Sequence, residues 1–208
     1  MFDFSLMNII AGLPGLIIAM VVHEYAHARV AVAMGDFTPR MTGRLTLNPV
    51  AHIDPIGLLM LFFVQFGWAK PVMINPRNFR DWKKGEVLVS LAGPGANLLI
   101  AFLTVLVMVA LMKMGLMTSQ GTRSVLYLII IYNINFAIFN MIPLPPLDGS
   151  KVLMAFLPGK WAYKLMSIER YSFFILIALM MTPVLGYILI PLQRMVFAVF
   201  NAIIAIIF

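Results

Sequence analysis

Residues 21–30 read VVHEYAHARV and place His23, Glu24 and His27 inside an apolar run that extends from about Asn8 to Met34. On a helix, two residues four apart differ by about 40° in azimuth and about 6 Å in rise, so His23 and His27 stand one above the other on one face. Two imidazoles at that spacing can share one tetrahedral metal ion. Glu24, displaced by about 100°, stays outside the coordination sphere, where it can take a proton from a water molecule. The alternative is a pair of packed histidines beside a partnered glutamate. The cost of ionisable groups within an apolar span argues for function instead.

Composition decides which solvent surrounds that turn. Of the 208 residues, 62% are hydrophobic and 11% charged, whereas a soluble domain is nearer half apolar and a quarter charged. Several windows exceed 18 apolar residues, the length of a transmembrane helix. The sequence therefore predicts an all-α polytopic membrane protein, a bundle of about four to six transmembrane helices in one domain over residues 1–208. The catalytic core occupies about 8–160, and C-terminal helices about 165–208. The first segment carries the His/Glu cluster and lacks a small-residue cleavage site, so it is expected to be retained. The net charge of +7 is better explained by topology and anionic lipid headgroups than by nucleic acid, because the basic residues lie between hydrophobic segments. There are no cysteines.

Further spans are expected at about 87–114, 125–147 and 171–192, with the tail after Arg194 either a short last span or an interfacial helix. Residues 56–66 are apolar but too short to cross. Twelve of the fifteen Lys and Arg fall within 29–44, 70–84 and 151–170, which places those three stretches in the cytoplasm. Both flanks of 56–76 then face the same side, so this stretch must dip in and return as a re-entrant, β-hairpin-like loop. Non-helical backbone at membrane depth must be buried in protein or line a wet cavity, so the sequence predicts a cavity open to the cytoplasm.

A catalytic zinc takes three protein ligands and keeps one position open. Only eight acids exist, and most lie at segment ends. Asp148 differs, sitting in FNMIPLPPLDGSKVL after a segment broken by Pro143, Pro145 and Pro146. Alone it would read as a helix N-cap. Beside an H-E-x-x-H helix that already offers two ligands, it becomes the third.

HEYAH together with NMIPLPPLDG resembles the two signature motifs of the site-2 protease family of intramembrane zinc metalloproteases. GWAKPV and LAGPGANL are similar to that family's re-entrant β-loop and its next core helix, and the resemblance covers most of residues 10–160. It implies one Zn2+ per chain bound by His23, His27 and Asp148, water activation by Glu24, and Asn140 helping to stabilise the oxyanion or position the substrate. It also implies transmembrane protein or peptide substrates in a prokaryotic cell membrane, with the active site opening towards the cytoplasm. The resemblance is to a compact form, expected to lack the PDZ or CBS domains of larger members.

A peptide bond in a membrane helix is shielded by internal hydrogen bonds, so the substrate must unwind, and an edge strand can hold it by backbone pairing. Residues 67–76 are the candidate edge, with Gly67, Trp68, Lys70, Val72, Met73 and Ile74 as substrate-binding residues; the alternative is a purely structural loop. Asn97 is read as an interhelical hydrogen-bonding residue, or as an active-site contact with substrate. Asn133 lies one heptad before Asn140. His52 could join Asp54 in a second metal site, or be satisfied by nearby backbone. Two other functions compete: a membrane zinc transporter, which needs a through-path, and a noncatalytic zinc-binding scaffold, which is expected to have lost one of the four key side chains.

Overall fold

The computed structural model describes residues 6–57 and 69–207. Helix α1 (Leu6–Met34) is followed by a short helix α2 (Thr38–Met41) and by 3-10 turns at Pro49–Ala51 and Pro76–Asn78. Then come α3 (Trp82–Lys113), α4 (Gln120–Asn140), α5 (Asp148–Phe156), α6 (Gly159–Ser167), α7 (Glu169–Met181) and α8 (Val184–Ile207). Among the described residues, four helices are long and apolar enough to cross a membrane: α1 from Ile10, α3, α4 and α8. The described residues form an all-helical architecture, and the protein is a multi-pass membrane protein.

Helices α1, α3 and α4 pack on one another and form the centre of the molecule. Between α1 and α4 the approach is backbone to backbone. A Cβ on Gly15 would sit 2.9 Å from the Leu128 carbonyl oxygen, and one on Gly12 would sit 2.7 Å from the Tyr132 hydroxyl. Small residues at such crossings replace the hydrophobic drive that lipid cannot supply. Ala101, Ile130, Ile134, Ile138 and Phe200 form the apolar cluster that joins α3, α4 and α8. Gln193 of α8 also donates to Asn135 of α4.

Several boundaries depart from the hydropathy reading, each for a local reason. Helix α3 starts at Trp82 rather than near 87, because Asp81 caps it by accepting from the Lys84 N–H at 3.0 Å. Helix α4 stops at Asn140 rather than continuing to 147, since Pro143, Pro145 and Pro146 cannot supply the N–H groups a helix requires. The expected span at 171–192 is two helices: Pro183 interrupts it, with Thr182 already extended. The tail is no separate element but the second half of α8.

The re-entrant hairpin needs correction as well. No strand occurs among the described residues; a single antiparallel bridge joins Ile53 to Ala69, supported by Lys70 N–H on the His52 carbonyl at 2.8 Å. Residues 58–68, which include most of the expected dip as well as Gly67 and Trp68, lie outside the described residues. The two ends of this connection nevertheless meet. Arg80 N–H donates to the Met34 carbonyl at 3.0 Å, and Asn78 Nδ2 donates to Asp36 at 2.8 Å.

Because both ends are tied to the end of α1, reporters placed on either should face the same side. The chain has no native thiol, so single cysteines at Thr42, Arg77 and Ser119, all exposed, can be labelled with a membrane-impermeant maleimide. Positions 42 and 77 are expected to react from the cytoplasmic side and 119 from the other. Reaction of 42 and 77 from opposite sides would show that the intervening chain crosses.

Candidate metal centre

Helix α1 turns His23 and His27 towards α3 and α5, and both are buried. Their Nε2 atoms are 2.9 Å apart, and Asp148 Oδ2 lies 3.1 Å from the first and 3.0 Å from the second. Among the described residues this is the one group of three or more His, Cys, Asp or Glu side chains whose ligand atoms converge. The structure thus brings Asp148 to His23, 125 residues before it in the chain, and to His27 one turn further along α1.

What faces the other ring nitrogens decides what the three can bind. His27 Nδ1 is 2.7 Å from the Val89 carbonyl oxygen; a carbonyl only accepts, so that nitrogen carries the proton. His23 Nδ1 is 2.7 Å from Asn97 Oδ1. The Asn97 amide cannot be turned the other way, because its Nδ2 must donate to the Ala19 carbonyl at 2.8 Å and also to Asn133 Oδ1 at 2.9 Å. Asn133 is held in turn by donating to the Ile129 carbonyl at 2.8 Å. In their neutral form both imidazoles then present bare Nε2 lone pairs, and a carboxylate oxygen faces them. Three buried acceptors around one point repel one another unless a cation sits between them. A tetrahedral zinc with ligands about 2.0–2.1 Å away would hold them about 3.3 Å apart, a few tenths of an ångström wider than here. Donor chemistry and spacing both fit such an ion, and the partners on Nδ1 are those that orient metal-binding histidines.

Helix α3 can approach this cluster only because residue 93 has no side chain. A Cβ there would lie 2.6 Å from His23 Cε1 and 2.6 Å from His27 Nε2. Phe136 of α4 packs edge-on against His23, with ring centroids 4.9 Å apart. Asp148 is the first residue of α5, with Leu147 at the N-cap position, so its carboxylate is not spent on capping. Gly149 seats that helix start under the end of α4, since a Cβ there would collide with the Met141 carbonyl. Lys151 Nζ approaches the other Asp148 oxygen at 3.3 Å.

Glu24 points elsewhere, as the helix offset requires. Its Oε2 accepts from the Val72 N–H at 2.9 Å, and this bond brings the loop after Ala69 to the active helix. Val72 is buried, Met73 exposed and Ile74 half-buried. Two N–H groups of this stretch are already engaged, Val72 by Glu24 and Asn75 by Asp36 at 2.7 Å, as is that of Lys70. Those of Met73 and Ile74 have no partner among the described residues.

Other candidates fall differently. Asn97 is fully buried, with its amide joining α1, α3 and α4 through His23, Ala19 and Asn133. Asn140 donates Nδ2 to the Phe136 carbonyl one turn back at 2.9 Å. His52 contacts the Thr46 carbonyl at 2.8 Å, and Asp54 accepts from the Ile56 and Gly57 N–H groups at 2.9 and 2.8 Å; among the described residues no second metal cluster includes them. Gly93 and the Val89 carbonyl were not singled out by residue chemistry; the only signal was the glycine spacing within LAGPGANL.

The Gly93 approach is directly testable. Gly93→Ala places a methyl group between the two imidazoles and α3, and its expected effect is a zinc affinity lowered by roughly 10–100-fold, the scale on which ligand orientation matters. Competition with a chelator, monitored on folded protein, measures it. Unchanged affinity would mean that α3 can retreat freely.

Comparison with known proteins agrees with this chemistry. Residues 107–183, which include Asp148, match peptidase family M50. Over 181 residues, 85% of this chain and 83% of the relative, the sequence is 38% identical to YwhC of Bacillus subtilis (strain 168), a protein whose name describes a zinc metalloprotease. Two proteins called Rip2 carry the same description. That of Mycolicibacterium smegmatis is 28% identical over 83% of this chain and 67% of its own length. That of Mycobacterium tuberculosis (H37Rv) is 27% identical with the same coverage. No solved structure matches. The extent of the similarity to YwhC places this chain in peptidase family M50, the zinc metalloproteases of the site-2 protease type.

Proposed function

We propose that this protein is an intramembrane endopeptidase that hydrolyses peptide bonds within or near transmembrane segments of membrane-protein substrates, using one zinc ion per chain. The observation that carries this reading is the convergence of His23 Nε2, His27 Nε2 and Asp148 Oδ2 on one point, with Glu24 next to His23 on the same helix. The positive-inside pattern puts this site towards the cytoplasmic end of α1, in what we read as a prokaryotic cell membrane.

His23, His27 and Asp148 would hold the metal. Zinc, when bound there, acts as a Lewis acid on the scissile carbonyl and makes water a competent nucleophile near neutral pH. Glu24 keeps one oxygen on Val72 N–H, and its other oxygen accepts the proton of the attacking water and delivers it to the departing amine. Asn140 would donate to the developing oxyanion with the second N–H of its amide, the first being held by the Phe136 carbonyl. An unwound substrate needs partners for its own backbone groups at membrane depth, and the N–H groups of Met73 and Ile74 are the ones this loop still has to offer.

Glu24→Gln is expected to keep zinc bound and to lose cleavage of a transmembrane substrate by about 10²–10⁴-fold, the range of general-base contributions. Asp148→Asn should instead weaken zinc retention itself, read by metal analysis after dialysis. Full activity in the first variant removes Glu24 as the base, and full metal loading in the second places the third ligand elsewhere.

Proline at position 73 or 74 removes one free donor each. Alternate extended residues send their N–H groups to opposite edges, so one of Met73→Pro and Ile74→Pro should impair cleavage much more than the other, at unchanged zinc content. If both leave cleavage of a helical substrate intact, the loop is structural and substrate is held in another way.

A further inference from the structure

Asp36 follows Gly35 just beyond the end of α1 and is fully buried. It accepts four hydrogen bonds. Oδ1 takes Thr38 N–H at 3.1 Å, Thr38 Oγ1 at 2.6 Å and Asn78 Nδ2 at 2.8 Å; Oδ2 takes Asn75 N–H at 2.7 Å. Burial pushes this carboxyl upwards, but donors from Thr38, Asn75 and Asn78 outweigh it and hold the group below the ordinary carboxylate range. Local turn geometry accounts for Thr38 only. The other two donors come from about 40 residues further on, and the hydrolytic chemistry gives them no role.

Those two donors belong to the stretch that carries Val72. Residues 71–78 lie along the last three turns of α1 and are fastened at both ends, by Val72 N–H on Glu24 and by Asn75 and Asn78 on Asp36. Between these points Ile74 packs against the buried cluster of Ala31, Phe79 and Val89, as do Val30 and Met34 of α1. Gly35 makes the joint feasible: its φ is +111°, and a Cβ would lie 3.0 Å from the Asn78 carbonyl oxygen. The bond to Glu24 cannot hold this strap alone, because the proton transfers assigned to Glu24 change its charge in each turnover and so weaken that bond. Asp36 is buried, takes no part in the reaction and keeps its charge.

We propose that Asp36 is a positioning residue for the active site. By clasping Asn75 and Asn78 it holds the strap on α1, and thereby keeps Val72 N–H on Glu24 and the substrate-facing one of the Met73 and Ile74 N–H groups in place. This rests on the proteolytic reading above for its consequence, but not for its geometry.

Asp36→Asn is a sharp test, because it keeps the shape and replaces one acceptor oxygen by an NH2. Whichever way that amide turns, a donor then faces Asn75 N–H or the Thr38 and Asn78 donors. Amide hydrogen exchange on the full-length protein in nanodiscs is the first readout. Asp36→Asn should abolish protection at Asn75 and also at Val72, whereas Glu24→Ala should release Val72 and leave Asn75 protected. Kinetics are the second readout. With zinc still at one per chain, kcat for a helical transmembrane substrate should fall roughly tenfold and KM rise at least about threefold, since both the base and the substrate edge lose their placement. A role in folding alone would reduce the active, zinc-loaded fraction and leave KM unchanged, and that result overturns the proposal. So does full protection of Val72 in Asp36→Asn. If that variant does not fold, Asn78→Ala removes one donor only and should raise exchange at Asn75 and Val72 together; no change at either residue overturns the proposal. Should the wild-type protein cleave nothing, the proteolytic reading falls, while the exchange result still decides whether Asp36 holds the strap.

Discussion

The hydrogen bond from His23 Nδ1–H to Asn97 Oδ1, with its counterpart from His27 Nδ1–H to the Val89 carbonyl, governs what the rest of the site can be. Each donates to a group that can only accept in that position, and so, in the neutral ring, leaves the lone pair on the opposite nitrogen. Inside a membrane helix bundle there is no water to offer a second choice. The commitment extends beyond the histidines. Asn97 is oriented by Ala19 and Asn133, and Asn133 by Ile129, so three helices take part in fixing two tautomers. A polar network of this kind has to be complete, because each missing partner leaves a buried group unsatisfied.

Helix α3 is the element on which that network depends. It supplies Val89, Gly93 and Asn97 from a single face, at spacings of four residues that bring each over the previous turn. Gly93 is the narrowest point. Were it any other residue, the imidazoles could not lie against α3 while α3 also provides acceptors on either side of them. The same use of small residues recurs at Gly12 and Gly15, where α4 approaches α1 closely enough for Phe136 to touch His23. Close backbone approach therefore serves the chemistry directly, by bringing acceptors within reach of rings that have nowhere else to donate.

Much of this was legible in the chain, for identifiable reasons. The four-residue spacing of His23 and His27 is a local property of one helix, and hydropathy reports spans whatever their packing. Asp148 could be singled out because acids are scarce and prolines mark the chain reversal before it. Boundaries were less legible where hydropathy and hydrogen bonding disagree: polar Asp81 starts a helix that apolar content would begin later, and Pro183 divides a run that apolar content leaves whole. The roles of Val89 and Asp36 were hidden for another reason. A backbone carbonyl has no letter in a sequence, and a single aspartate after a helix reads as an ordinary turn residue until the partners from 75–78 arrive. The strand expected at 67–76 was inferred from what a substrate would need, and the described part of that stretch is an extended strap instead.

The arrangement also separates hydrolysis from transport. Transport through the bundle requires that a bound ion leave on the side opposite to its entry. Here Gly93 backbone lies directly against both rings on the α3 side, Phe136 covers His23 on the α4 side, and both Asn97 amide atoms are engaged within the bundle. Opening a path there would uncouple the acceptors that keep the lone pairs pointed inwards, so the site would lose its affinity as it opened. On the proteolytic reading, the side left for an incoming group is that of Glu24 and the strap, which are joined through Val72 N–H and carry, among the described residues, an unshared carboxylate oxygen and two unpaired N–H groups. A hydrated ion has no use for backbone donors in an extended segment. An unwound peptide would have such a use, since unwinding in the membrane strips it of its own hydrogen bonds.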